Sequence, residues 1–79
     1  MKKYLIGYKQ GNGAYVYVNS INDYSISVTI NTDNAIEFFS EKIATNLCEF
    51  LNLKNKEQTY LPLMVTINVE EVGIDVITD

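Results

Sequence analysis

The chain contains no histidine, no arginine and no tryptophan, and it has a single cysteine and a single proline. Each absence closes off a class of chemistry. Without histidine there is no usual general base, no commonest zinc ligand and no Ser-His-Asp or Cys-His arrangement. With Cys48 alone there is no disulfide within the chain, no zinc ribbon and no redox cysteine pair. Cys48 falls on the apolar side of a predicted helix and reads as a small buried hydrophobe, since lysines are the only cations on hand to lower a thiol pKa. One cysteine is compatible with a reducing cytosol. Arginine is the residue of choice for forked contacts to phosphate and to guanine edges. A chain with none, and with six lysines against ten acids for a net charge of -4, is a poor nucleic-acid binder. No apolar run approaches the roughly 20 residues that span a bilayer. The run after Met1-Lys2-Lys3 is cut at Gly7, Tyr8 and Lys9, too short for a signal peptide. The expectation is one domain over residues 1–79, in the cytoplasm, with neither membrane nor nucleic acid as partner.

What is present is β-rich. Residues 3–9 are strand-like, and Asn12-Gly13 is the favoured pair for a two-residue hairpin turn. Residues 14–19 alternate cleanly. With Asn12 and Gly13 as the loop, Gly11 faces Ala14. Tyr4, Ile6, Tyr8, Tyr15 and Tyr17 then share one face, and Leu5, Gly7, Ala14, Val16 and Val18 the other. A three-residue loop would flip that grouping. On the second face, taken as the core, Gly7 leaves room for a close approach. Asn22-Asp23 turns the chain into residues 24–31, where Tyr24, Ile26, Val28 and Ile30 alternate with Ser25, Ser27, Thr29 and Asn31. A loop at Thr32, Asp33 and Asn34 sets Ile30 opposite Ile36 and Val28 opposite Phe38, which makes 35–39 a short fourth strand. Ser40 caps a helix, with Glu41 at the positive end of its dipole. Ile43, Ala44, Leu47, Cys48, Phe50 and Leu51 form the apolar stripe, and Lys42, Thr45, Asn46 and Glu49 lie outside it. The helix ends near Asn52 or Asn55. Residues 54–61 read as a loop, and Pro62 is not expected inside a ladder. Leu63, Val65, Ile67 and Val69 alternate after it, and Ile74–Ile77 reads as a last short strand. The fold class is α+β, a curved antiparallel sheet of four to six strands with one amphipathic helix across a face, in the order β-β-β-β-α-β.

Candidate sites are few. Gly11-Asn12-Gly13 does not lead into a helix or a Gly-Lys-Ser/Thr sequence, so it is a hairpin turn and not a phosphate loop. Glu70, Glu71 and Asp75 lack EF-hand spacing, and Glu70 and Glu71 point to opposite sides of a strand, so no metal is expected. No cofactor and no catalytic residue is assigned, and the expectation is a protein that is not an enzyme. Surface is what remains. Six tyrosines in 79 residues is high usage. Tyrosine offers contact area with little rotamer entropy to lose, so Tyr4, Tyr8, Tyr15 and Tyr17 are assigned to a protein interface. The plainer alternative is that tyrosine is a good strand former and these rings cover one another. No basic residue follows Lys56, so Glu70, Glu71 and Asp75 join the candidate contacts as an acidic surface for a basic partner. The small core also favours a homodimer, through the tyrosine face or a sheet edge.

Ala35, Phe38, Ser40 and Ala44 fit the pattern A-x-x-F-x-S-x-x-x-A. Over its C-terminal half the chain resembles small phage and prophage accessory proteins of low-GC Gram-positive bacteria. In these a short strand runs into such a helix and a Val-rich strand ending in Glu-Val follows, as in residues 65–72. The long loop before Pro62 and the tail after Gly73 depart from the pattern. The resemblance implies a non-catalytic protein that binds and inhibits or modulates a host protein in the host cytoplasm, an anti-CRISPR or other anti-defence factor included. It carries over no functional residue. The alternatives are a homo-oligomer that binds a small ligand such as a nucleotide signal, and a minor virion component.

Overall fold

The computed structural model describes residues 2–67 and 72–78. Five strands form one antiparallel sheet: β1 (Lys2–Lys9), β2 (Tyr15–Ile21), β3 (Ile26–Thr29), β4 (Leu61–Ile67) and β5 (Val72–Val76), in the spatial order β3-β2-β1-β4-β5. One helix, α1 (Glu41–Lys54), packs against β1 and β4. The fold is α+β. The fourth β element expected at 35–39 is reduced to one bridge, Tyr4 with Phe38, and β5 follows the helix-to-β4 connection.

The first hairpin departs from the two-residue loop expected at Asn12-Gly13. The Gln10 N–H donates to the Ala14 carbonyl and the Gly13 N–H to the Gln10 carbonyl, so the loop is three residues, Gly11–Gly13. Gly13 sits at φ 88°, the left-handed conformation that closes a three-residue loop, and glycine takes it without a Cβ penalty. Gly7 therefore pairs with Tyr17, Tyr8 with Val16 and Lys9 with Tyr15. This slip of one residue exchanges the faces of β2.

The face under the helix carries Ile6, Val18, Ala44, Cys48, Leu51 and Tyr60, with Tyr4, Tyr8, Ile36 and Phe38 against them. The opposite face carries Leu5, Tyr17, Leu63 and Val65, ringed by Tyr15, Ala35, Leu61, Ile67 and Ile74. Among the described residues no helix covers this second face, yet Leu5, Leu63 and Val65 are fully buried. It is sealed by the sheet's own side chains together with Ala35 from the segment between β3 and α1. The stem of Lys3 helps, with its ammonium 3.3 Å from the Asp33 carboxylate.

β1 and β2 stay paired for only three residues before they part. A register shift between Val18 and Ser20 bends β2 away, as a bulge does. Residues 36–38 enter the fork: the Ile36 N–H donates to the Val18 carbonyl and the Phe38 N–H to the Tyr4 carbonyl. Ile36 and Phe38 thus pair with β2 and β1, and not with Ile30 and Val28 as the alternation suggested. The turn before them is a 3₁₀ turn at Thr32–Asn34, capped by Asn31. Helix α1 starts where expected, with Ser40 Oγ accepting from the Ile43 N–H. Pro62 does lie inside a ladder, opposite Ile6. Its carbonyl accepts from the Ile77 N–H on the β5 side. A strand residue's N–H and C=O point the same way, so the N–H that proline lacks is not one β1 would use.

A Cβ added at Gly7 would collide with the Val16 carbonyl and crowd Leu63, whereas one at Gly73 meets nothing. Gly7→Ala should therefore lower the unfolding free energy by about 1–3 kcal/mol, the usual range for overpacking. Gly73→Ala should leave it unchanged or raise it by up to about 1 kcal/mol through the unfolded chain. Urea unfolding of the two variants tests this contrast, and equal midpoints would contradict it.

Candidate functional site

The register decides where the tyrosines go. Tyr4 and Tyr8 lie on the helix side, half-buried, with the Tyr8 ring edge-on to Tyr60 at 5.6 Å. Tyr15 and Tyr17 lie on the other face, where Tyr17 is only 4% exposed and Lys9 Nζ stands 5.9 Å above the Tyr15 ring. The four expected interface tyrosines therefore do not form one surface: three are half-buried and one is interior. The reason is the one-residue slip at the hairpin. Asp75 is exposed on β5, opposite Met64. Glu70 and Glu71 lie outside the described residues.

A different surface gathers exposed apolar groups. Between the β2–β3 turn and the last turn of α1 lies an open cleft of about 590 Å³, lined by Ile21–Ile26, Phe50, Leu51, Lys54 and Asn55. The tip on one side of it is rigid. Asn22 Oδ1 accepts from the backbone N–H of Tyr24 (2.8 Å) and of Ser25 (2.9 Å), and the Asn22 N–H donates to the Ser25 carbonyl. This side-chain-to-backbone turn presents Tyr24 to solvent, where it is 97% exposed. Phe50 on the opposite wall is 53% exposed, with Lys54 Nζ 5.8 Å above its ring. That wall is fixed too. The Asn55 backbone N–H closes the helix onto the Leu51 carbonyl, and the Asn52 side chain holds the incoming chain through both the N–H and the carbonyl of Tyr60.

Sequence reasoning missed this pairing. Tyr24 was grouped with the buried alternation of 24–31, and Phe50 with the buried stripe of the helix. One signal was available for each. Tyr24 follows Asn22-Asp23 directly and falls within the turn. Phe50 lies at the edge of the apolar stripe, where the helix faces the thin β2–β3 ribbon and not the centre of the sheet.

Ser25 and Tyr24 are the hydroxyls of the lining, and Lys54 and Asp23 are its charged groups. The one thiol is elsewhere. Cys48 is buried under the helix, where desolvation first and the Glu49 charge second push it up to about 12. Burial likewise raises the Tyr17 and Tyr60 phenols, helped by Tyr15 for the first and by Tyr8 and Glu57 for the second. Among the described residues no three Asp, Glu or Cys side chains come together to hold a metal ion, and no helix is long and apolar enough to cross a membrane. Comparison with protein-family models, with curated protein sequences and with solved structures returns no match.

The raised Cys48 thiol gives stability a pH signature. The unfolded thiol ionises above its ordinary value of 9.0 while the folded one stays protonated to about 12, so the contribution of Cys48 to the unfolding free energy is level below pH 9 and falls across that window. The slope attributable to Cys48 approaches about 1.4 kcal/mol per pH unit once the unfolded thiol is ionised. Urea unfolding at pH 7, 9 and 10.5 should show a steeper alkaline loss for the natural chain than for Cys48→Ala, and parallel losses would refute it. Thiol reagents at pH 8 should leave the folded protein unlabelled.

Proposed function

We propose that this chain is a non-catalytic protein-binding module whose contact surface is the cleft between the β2–β3 tip and the end of α1. The observation that carries the reading is Tyr24, held nearly fully exposed on a hydrogen-bonded turn and lining the same cleft as exposed Phe50, with Ile21, Ile26 and Leu51 also in its lining. An exposed aromatic on a rigid mount loses little entropy when a partner covers it, and such residues are enriched among interface hot spots. The lack of histidine and the buried, protonated thiol support the non-catalytic part.

In its narrower form the module is a phage-type accessory protein that inhibits or modulates a host protein in the host cytoplasm, of the anti-CRISPR or other anti-defence kind. That form rests on the pattern at Ala35, Phe38, Ser40 and Ala44, and on the acid-only sequence after Lys56, which suits a basic partner surface. A second reading, a small-ligand binder, draws on the cleft's volume, which falls within the usual 300–1,000 Å³ or so of ligand pockets. Against it, the cleft is open and Lys54 is the one cation in its lining to meet a phosphate.

The test compares baits. Tagged natural protein, Tyr24→Ser/Phe50→Ser and Tyr15→Ala are passed through a lysate of a Gram-positive host. The double variant should fold with a melting temperature lowered by only a few degrees, because Tyr24 is nearly fully exposed and Phe50 about half, and should lose any stoichiometric protein the natural bait retains. Tyr15→Ala should keep it. Retention by the double variant would put the contact surface elsewhere. A co-purified small molecule in a native mass spectrum, without a protein, would favour the second reading.

A further inference from the structure

Edge strands of natural sheets are usually blunted by charge, proline or a bulge, because their free backbone groups are a template for another chain. The two edges here differ. β5 carries Asp75 and follows Glu70 and Glu71 in sequence. β3 is short, four residues, but carries no charge or proline: residues 24–32 contain neither, and the register shift beside β3 leaves the extra residue on β2. Among the described residues nothing pairs with the outer edge of β3. In a chain of net charge -4, this neutral stretch is a place where two copies can meet without like charges opposed.

The side chains favour self-pairing as well. Val28 lies opposite Val18 and Ile26 opposite Ile21, so both belong to the helix side of the sheet. Ser27 and Thr29 belong to the other side. An antiparallel pair centred on Val28 would set Val28 against Val28 of a second copy and Ser27 against Thr29, and, with the strand extended one residue past Thr29, Ile26 against Ile30. Apolar then meets apolar on one face and hydroxyl meets hydroxyl on the other, the cross-strand combinations that stabilise sheets. Ile30 is 82% exposed and Val28 38% exposed, and this pairing covers both. We infer that the β3 edge is a homodimer interface, with two copies joined by antiparallel β3–β3 pairing into one ten-stranded sheet and both helices on the same face. A pairing of about five residues a side is smaller than a standard interface, so the dimer should dissociate on dilution. This inference concerns the sheet edge and stands apart from binding in the cleft.

The experiment is sedimentation equilibrium of the full chain over a wide concentration range, with three variants. The natural protein should pass from its 9.0 kDa monomer to a dimer as concentration rises. Val28→Lys and Val28→Glu should each raise the dissociation constant by about 100-fold, since each sets like charges directly opposite one another at the two-fold. Mixing the two should restore a dimer, now heteromeric, because Lys then faces Glu. If a Val28 variant unfolds by circular dichroism, Ile30→Lys and Ile30→Glu, at a more exposed position, replace it with an expected loss of about 10-fold, since a charge there faces Ile26 of the second copy and not its own kind. A natural chain that stays monomeric at millimolar concentration would overturn the inference. So would a dimer indifferent to charge at both positions, or an open polymer in place of a closed dimer. Tyr24→Ser/Phe50→Ser should keep the dimer, so failure of the cleft reading and failure of this one give different results.

Discussion

Leu5 and Ile6 are neighbours on β1, they point to opposite faces of the sheet, and neither is exposed to solvent at all. Burying both sides of one strand normally takes a layer on each side, and among the described residues one α-helix is available to form one. The helix covers Ile6. The face of Leu5 is closed by the sheet's own side chains together with Ala35 and the turn that carries Asp33, while β1 and β2 approach closely at one point and separate beyond it. Gly7 permits the approach, since any side chain there would strike the Val16 carbonyl. The shift past Val18 starts the separation. The fork that opens would leave the Tyr4 and Val18 carbonyls unpaired next to the core, and the Phe38 and Ile36 N–H groups satisfy them. The close approach, the bulge and the plug are three parts of one solution to covering a two-faced strand with little chain.

That solution explains which parts could be read from sequence. The helix is specified locally. Ser40 supplies an oxygen for the Ile43 N–H, the stripe at Ala44, Cys48 and Leu51 has helical spacing, and no distant contact is needed to choose helix. The alternations of β2, β3 and β4 are local too, and they yield an antiparallel sheet with a helix on one face. Pairing partners are not local. Residues 35–39 look extended, and the nearest strand in sequence is β3, but the vacancy they fill lies between β1 and β2. Nothing in their own composition announces a gap created by Gly7 and the bulge.

The hairpin shows a finer limit. Asn12-Gly13 serves a two-residue turn well. It serves equally as the end of a three-residue loop with Gly13 in the left-handed position, which is the conformation found. The two loops use the same residues and differ by one in register, and one in register moves every side chain of β2 to the other face. A surface of four tyrosines therefore becomes two pairs in two clusters. The plainer reading of those rings, as strand formers packed within the sheet, matches their burial. The exposed aromatics were hidden for a related reason: periodicity assigns a residue to a face, but it does not say how far a covering layer extends over that face.

The layer ends before β3, and the properties of this molecule separate along that boundary. β1 and β4 receive side chains on both faces and hold all the fully buried strand residues except Val18 and Val16 of β2. The β2–β3 ribbon, turned outward by the bulge, has half of one face covered near Val18 and Ile26 and is otherwise wet. A chain of 79 residues buries too small a fraction of its surface to shield every apolar group, and part of the shortfall falls here, with the rest at Phe39, on the helix at Ile43, Phe50 and Leu53, and on β5. Ile21, Tyr24, Val28 and Ile30 are the result. The ribbon is then the least supported part of the fold and the one with most to gain from a neighbour. A partner in the cleft or along the edge would stabilise the native state by mass action and would act first on the local opening of this ribbon. The tip escapes that softness because Asn22 builds it from its own hydrogen bonds. The tip, so built, presents Tyr24 without help from the core.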